Sequence, residues 1–399
     1  GENWVLVTAV SAEELTYTDT GATNGKLIYY AVRAVNDTGI STYNARGITY
    51  LTAPKLAHSN SASGIYLKWD LNSEAQSYWV YRKAGSEKYW TRIAVVTTNY
   101  YTDKNVKSGT DYTYTVRAYN GKILSGYNTA GWRTKYLSIP KIASVSNTYG
   151  AVTVSWNKVS GAAKYYVYRK VDGAKTWTYV GSATSTSYRD TNVKNKSTYA
   201  YTVRAVNGSS VSYYNTTGKS VKCVLAPTVT VANRIDSVQL TWNAVSGASS
   251  YYVYRKANRE TTWTKIATVT KNSYIDTKVV NGATYRYTVR AYSSKTLSGY
   301  NGNGWATVYL AAPKLVSATS YKSGISVKWQ PVKWATGYFI FRKTDNGNWV
   351  QIGTVKGSNT VTYLDKTAQL GGKYTYTVRA YYGNYRSWFY PGLTCIDKY

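Results

Sequence analysis

Over much of the chain apolar and polar residues alternate one for one, the period that sends every second side chain to the same face of a β-strand. Ile65, Leu67 and Trp69 alternate with Tyr66 and Lys68, and the same beat returns at Val152-Val154-Trp156, Val238-Leu240-Trp242 and Ile325-Val327-Trp329. The next run puts Tyr78 and Val80 on one side and Trp79 and Tyr81 on the other. A later run alternates Tyr112, Tyr114, Val116 and Ala118 with Thr113, Thr115, Arg117 and Tyr119. Turn signals such as Lys107-Ser108-Gly109, Ser160-Gly161 and Asn281-Gly282 separate the runs. Seven or so short strands in about 86 residues predict a sandwich of two sheets.

These runs repeat along the chain, so internal repetition organises the molecule. Pro54, Pro140, Pro227 and Pro313 open successive copies at intervals of 86, 87 and 86 residues, and Trp69, Trp156, Trp242 and Trp329 follow at 87, 86 and 87. An Arg-Lys pair begins at Arg82, Arg169, Arg255 and Arg342, and a Val-Arg-Ala triplet centres on Arg117, Arg204, Arg290 and Arg379. Full copies are expected at 53–139, 140–225, 226–311 and 312–399. Residues 1–52 hold only the second half of a copy, with its triplet at Arg33. That half lacks the strands that would supply a counterpart of Trp69, Tyr78 and Val80. Either the rest has been removed, or strands from another chain complete it. The junctions, such as Tyr50-Leu51-Thr52-Ala53-Pro54, are short, apolar and proline-bearing, which predicts an elongated, semi-rigid rod.

The buried tryptophan of the second strand, the Tyr-x-Val-Tyr-Arg third strand and the stretch Val106–Tyr112 leading into Tyr-Thr-Val-Arg-Ala resemble the fibronectin type III fold. They are especially similar to the tandem variants on surface and secreted proteins of Gram-positive gut bacteria. The resemblance spans the chain and implies all-β, immunoglobulin-like sandwiches in tandem and an extracellular or cell-surface, cell-wall-associated setting. It also implies a tyrosine corner at Tyr112, Tyr199, Tyr285 and Tyr374, whereas Ile28 stands at that place in the partial copy.

Composition agrees with strands: 45 Tyr and 14 Trp stand against 3 Phe and no Met. No apolar run approaches the roughly 18 residues that span a bilayer, and the start lacks signal-peptide character, which reads as a mature product or excised segment. Cys223 and Cys395 fall in different copies, so two free buried thiols are expected.

Catalytic chemistry finds little material. The single histidine, His58, has Ser144, Val231 and Ser317 at its matching positions and reads as an exposed loop residue. The acid that does recur, at Asp19, Asp103, Asp190, Asp276 and Asp365, stands alone before a turn, where its side chain would bond to backbone amides in preference to a metal. No metal cluster, phosphate loop or cofactor motif appears, so no cofactor and no enzymatic activity are expected.

Charge changes the picture more. Net charge is +31, and it divides as −2 for residues 1–52 and +7, +10, +7 and +9 for the full copies. Without a focused stripe or reading motif, specific nucleic-acid binding is not expected. The charge suits an anionic wall polymer or acidic glycan, or else it only keeps a Tyr-rich rod soluble.

One face stands out as a candidate binding site. If Tyr78 and Val80 face inward, an outer ladder carries Trp79, Tyr81 and Arg117; Tyr166, Tyr168 and Arg204; Tyr252, Tyr254 and Arg290; and Phe339, Phe341 and Arg379. Guanidinium stacking on rings could be purely structural, or the face could recognise sugar or protein. The indoles Trp4, Trp90, Trp177, Trp263 and Trp349 recur near an edge strand, covering the margin or meeting ligand. The sequence therefore favours a multivalent binding array that contacts host protein or glycan. A passive spacer, and a polysaccharide-binding accessory segment of a secreted enzyme, stand as alternatives.

Overall fold

In the computed structural model, which describes residues 3–399, every regular element is a strand. The first two positions of the 1–52 partial unit lie outside the described residues. In the first complete unit seven strands follow in order: Leu56–Asn60, Ile65–Trp69, Ser77–Ala84, Thr91–Val96, Tyr100–Asp103, Asp111–Tyr119 and Trp132–Lys135. The first, second and fifth strands form one antiparallel sheet, and the seventh, sixth, third and fourth form the other. The next three units repeat this order and add a two-residue strand to the sixth, at Ser210–Val211, Thr296–Leu297 and Tyr385–Arg386. The result is a tandem array of fibronectin type III-like sandwiches.

Each sandwich closes on its own core, because the alternation seen in the sequence points the apolar face of both sheets at one interior. Ile65, Leu67, Trp69, Tyr78, Val80, Tyr112, Tyr114, Val116 and Ala118 are buried together, and the same positions make separate clusters in the other three units. The core indole meets the third-strand tyrosine at 5.3–5.5 Å between rings, from Trp69–Tyr78 to Trp329–Tyr338. Removing one such indole would cost about 3–5 kcal/mol.

Two polar devices recur inside these apolar cores. In the tyrosine corner the hydroxyls of Tyr112, Tyr199 and Tyr285 accept the backbone N–H of Lys107, Lys194 and Val280 at 2.7–2.9 Å, and Tyr374 accepts that of Gln369 at 3.2 Å. The second device is built on the recurring aspartate. Oδ1 of Asp103 accepts the N–H of Asn105, as the sequence suggested, while Oδ2 accepts both the Tyr114 hydroxyl and Nη1 of Arg82, each at 2.8 Å. Asp190, Asp276 and Asp365 do the same with Tyr201 and Arg169, Tyr287 and Arg255, and Tyr376 and Arg342. Burial and the facing aspartate push the four tyrosine hydroxyls far above their ordinary pKa. For the arginines burial works against the charge, but the aspartate more than offsets it.

Three details depart from the sequence reading. His58 lies exposed in the first strand opposite Leu67, because that edge strand extends past its proline, so it is not a loop residue. Both cysteines are free, but only Cys223 is fully buried, with burial raising its thiol to about 11. Cys395 is half-exposed on the edge strand Leu393–Ile396. Residues 3–50 pair Leu27–Tyr30 with Arg46–Thr49 yet bury no apolar side chain fully, since the sheet that would cover them has no counterpart here.

The junctions are tied at two points. Near the turn before the sixth strand, Asn195 and Asn281 use their side-chain oxygen to accept the linker N–H of Leu225 and Ala311. Their amide nitrogen donates to Ser246 O and Lys333 O of the following unit. Ser108 serves both roles towards Ser138 and Ser160 with one hydroxyl. The turn between the first two strands forms the other tie: Asn60 donates to Val211 O, and Asn233 to Arg386 O, in the next unit.

The buried aspartate predicts how the fold answers to acid. For Asp365, burial raises the carboxyl pKa, but bonds from Thr367, Tyr376 and Arg342 outweigh it and leave it below the ordinary value. The stability it confers is therefore complete above about pH 4 and is lost as pH falls through the lower folded value. Asp365→Asn should flatten that acid limb in urea unfolding followed from pH 2 to 5, and it should cost about 3–5 kcal/mol at pH 7, where Arg342 is left unpaired.

Candidate binding face

The outer surface of each four-stranded sheet is set by register. Trp79 lies directly across from Arg117 and Tyr81 from Thr115, while Tyr78 and Val80 face the core. The pairings Tyr166 with Arg204, Tyr252 with Arg290 and Phe339 with Arg379 follow suit, and Tyr168, Tyr254 and Phe341 each oppose a threonine. All twelve candidate residues thus lie on the outer face of their units, and all are half-buried.

Their contacts differ from a simple ladder of arginine on strand rings. Each arginine packs instead over an aromatic ten residues further on: Arg117 over Tyr127 at 5.3 Å, Arg204 over Tyr214 at 5.6 Å, Arg290 over Tyr300 at 5.4 Å and Arg379 over Phe389 at 4.8 Å. Nε of the same arginines donates to the carbonyl of Ser125, Ser212, Ser298 and Ser387 at 2.7–2.8 Å. The serine hydroxyl in turn accepts the N–H of the alanine after the arginine. The partial unit keeps this corner through Arg33, Ser41 and Tyr43. The bond fixes the guanidinium plane, and corner aromatics are better placed to stack on it than strand neighbours pointing straight out.

Strand aromatics find other partners. Trp79 meets Tyr119 at 5.5 Å and carries Arg92 at 4.3 Å. Tyr166 and Tyr168 share Tyr179, at 5.6 and 5.7 Å. Tyr252 stacks on Tyr292 at 5.6 Å with Lys265 over it, and Phe339 stacks on Tyr381 at 4.6 Å with Arg386 over it. Phe341 meets Phe389 edge-on at 5.2 Å.

The recurrent indoles complete the surface. Trp90 precedes the edge strand Thr91–Val96, yet its ring reaches across the sheet to Gly131 at the head of the opposite edge. A Cβ on Gly131, which also sits at φ +70, would stand 2.7 Å from that ring, and Gly218 and Gly304 receive Trp177 and Trp263 in the same way. The Nζ of Lys83, Lys170, Lys256 and Lys343 lies 4.6–5.3 Å above the four indoles. The face is therefore a stack of lysine, tryptophan, corner aromatic and arginine. Two of these layers escaped the sequence reading, although the constant arginine-to-aromatic interval was there to be counted.

Among the described residues no three of His, Cys, Asp and Glu gather to hold a metal, and no helix is long and apolar enough to cross a membrane.

No family model matches the chain. It is 31% identical over 303 residues to Exoglucanase B of Cellulomonas fimi, covering 67% of this chain and 25% of that protein. It is 35% identical over 116 residues to the poly(3-hydroxybutyrate) depolymerase of Ralstonia pickettii, covering 28% of this chain and 22% of that one. The chain thus spans about a quarter of the length of these curated relatives. Among solved structures, the FN1–FN3 domains of chicken CNTN1 align over 65% of this chain and 99% of theirs at 18% identity, with a TM-score of 0.26.

Arg204→Lys tests the corner, because lysine keeps the charge but loses the Nε bond to Ser212 and the planar stack on Tyr214. It should lower stability by about 1–1.5 kcal/mol in denaturant unfolding.

Proposed function

We propose that this chain is a non-catalytic, extracellular accessory segment of a polysaccharide-degrading enzyme, whose repeated units hold the catalytic part near its polymer. The observation that carries this reading is the likeness, over 303 residues, to a quarter of an exoglucanase. Its titratable groups support a non-catalytic role, since the recurring aspartates are committed to structural bonds with tyrosine and arginine. Host adhesion and attachment to a cell wall draw no comparable support, because the two relatives are named as an exoglucanase and a depolymerase.

In this role the units 53–139, 140–225, 226–311 and 312–399 act as modules. Each offers a cationic, aromatic face, and weak contacts add along a polymer because binding one unit raises the local concentration of the next. The side-chain ties at the junctions favour a spacer action of the same segment, restricting how neighbouring modules swing.

Depletion assays at physiological salt against insoluble cellulose, xylan and pectin test the reading. Saturable retention on at least one polymer is expected, falling steeply when the chain is shortened to two units. No retention on any of them would leave a spacer alone.

A further inference from the structure

The corners of the first and third complete units carry a feature that the second and fourth lack. Thr115 and Thr288 point outward from the sixth strand, yet each is only 1% exposed, and neither hydroxyl has a hydrogen-bond partner among the described residues. The matching hydroxyls in the other units are satisfied, Thr202 donating to Asn215 O at 2.8 Å and Thr377 to Tyr390 O at 2.9 Å. The difference tracks the residue after the corner serine. It is Gly126 and Gly299 where the hydroxyl is orphaned, and Tyr213 and Trp388 where a corner carbonyl covers it. An orphaned buried hydroxyl costs about 1–3 kcal/mol, so its presence twice at equivalent positions calls for a partner.

In the first unit Thr115 lies at a slot of about 90 Å³, lined also by Tyr81, Trp90, Arg117 and Tyr127. Trp90 and Tyr127 stand edge to face at 6.4 Å, and Trp263 and Tyr300 repeat this at 6.3 Å in the third unit. The second and fourth units do not: Trp349, for example, stacks nearly parallel on Phe389. At the slot floor Arg117 uses only Nε within the protein, so its terminal nitrogens are free to donate. A slot of this size suits the small polar arm of a sugar better than a whole ring.

We propose that the slot of the unit 53–139, and the equivalent corner of 226–311 with its orphaned Thr288 and its Trp263–Tyr300 pair, bind the carboxylate arm of an acidic sugar in a uronic-acid polysaccharide. One carboxylate oxygen accepts from Arg117 or Arg290, and the other accepts the hydroxyl proton of Thr115 or Thr288. A carboxylate fits better than a neutral hydroxymethyl arm, because the donors are a guanidinium and a hydroxyl and each unit carries a net charge of +7. Binding would then alternate along the array, with the second and fourth units contributing surface charge only. The proposal rests on the polysaccharide reading above and narrows it to a ligand class and to two of the four units.

Replacing threonine by valine removes the hydroxyl at constant shape and charge, which separates the slot from general attraction to polyanions. The full chain is titrated with tetragalacturonic acid and with neutral cellotetraose, followed by calorimetry and tryptophan fluorescence. Thr115→Val combined with Thr288→Val should weaken tetragalacturonate about tenfold while thermal stability holds or rises. Thr202→Val combined with Thr377→Val should lower stability, since two made bonds are lost, and leave affinity unchanged. Equal tetragalacturonate affinity in the first double variant and the unaltered chain would overturn the slot, and retention on a neutral polymer would then leave the broader reading standing. Absence of binding to either oligosaccharide and to every polymer would remove both.

Discussion

Within each unit two sheets are held face to face across a close-packed core in which Val, Leu, Ile and Ala outnumber Trp and Tyr. The carboxylate of Asp103 and its counterparts adds the directional bond across that core, because it sits on the three-stranded sheet while both of its charged and hydroxyl partners sit on the other. A buried carboxylate is expensive to leave alone and cheap only with its full set of donors, so this contact pins the two sheets to one another at a defined point. The same two strands carry the outer face, whose order is set by their own register, with Lys83 beside Arg82 and Thr115 beside Tyr114.

The outer face follows a second rule, in which a backbone bond aims a charge before any ring is added. Nε of Arg117 is committed to the Ser125 carbonyl, so the guanidinium plane is fixed and the corner aromatic settles on it. The tryptophan then lies beside that aromatic, and the lysine stem covers the tryptophan. Such contacts contribute about 0.5–1 kcal/mol each at an exposed site, so the stack is a modest stabiliser that leaves much aromatic surface at the solvent boundary. A surface of that kind is consistent both with structural packing and with recognition.

Much of the fold could be read from the sequence, because period-two patterning in Ile65–Trp69, Ser77–Ala84 and Asp111–Tyr119 depends only on which face each residue takes. The tyrosine corner was equally legible, since its partner lies five residues upstream. Long-range pairing was not. That Asp103 faces Arg82 and Tyr114 depends on how the sheets stack, and that Arg117 prefers Tyr127 to Trp79 depends on the path of the corner. The orphaned hydroxyl of Thr115 was harder still, for its sequence neighbourhood Tyr-Thr-Val-Arg-Ala is shared by all four complete units and the difference lies in a glycine eleven positions later.

The clasps at the junctions between complete units affect how length relates to reach. A flexible tether widens its search volume as it grows, with a span that rises only as about the square root of its length. Here the side chains of Asn195 and Asn281 lock the connecting segment to the units on both sides, and Asn60 and Asn233 add a second fastening off that axis. Where two fastenings coincide, as between 226–311 and 312–399, they oppose swinging and twisting together, so a repeat added there lengthens the array by a step and does not widen a search volume. Such a chain behaves as a ruler whose graduations are its domains.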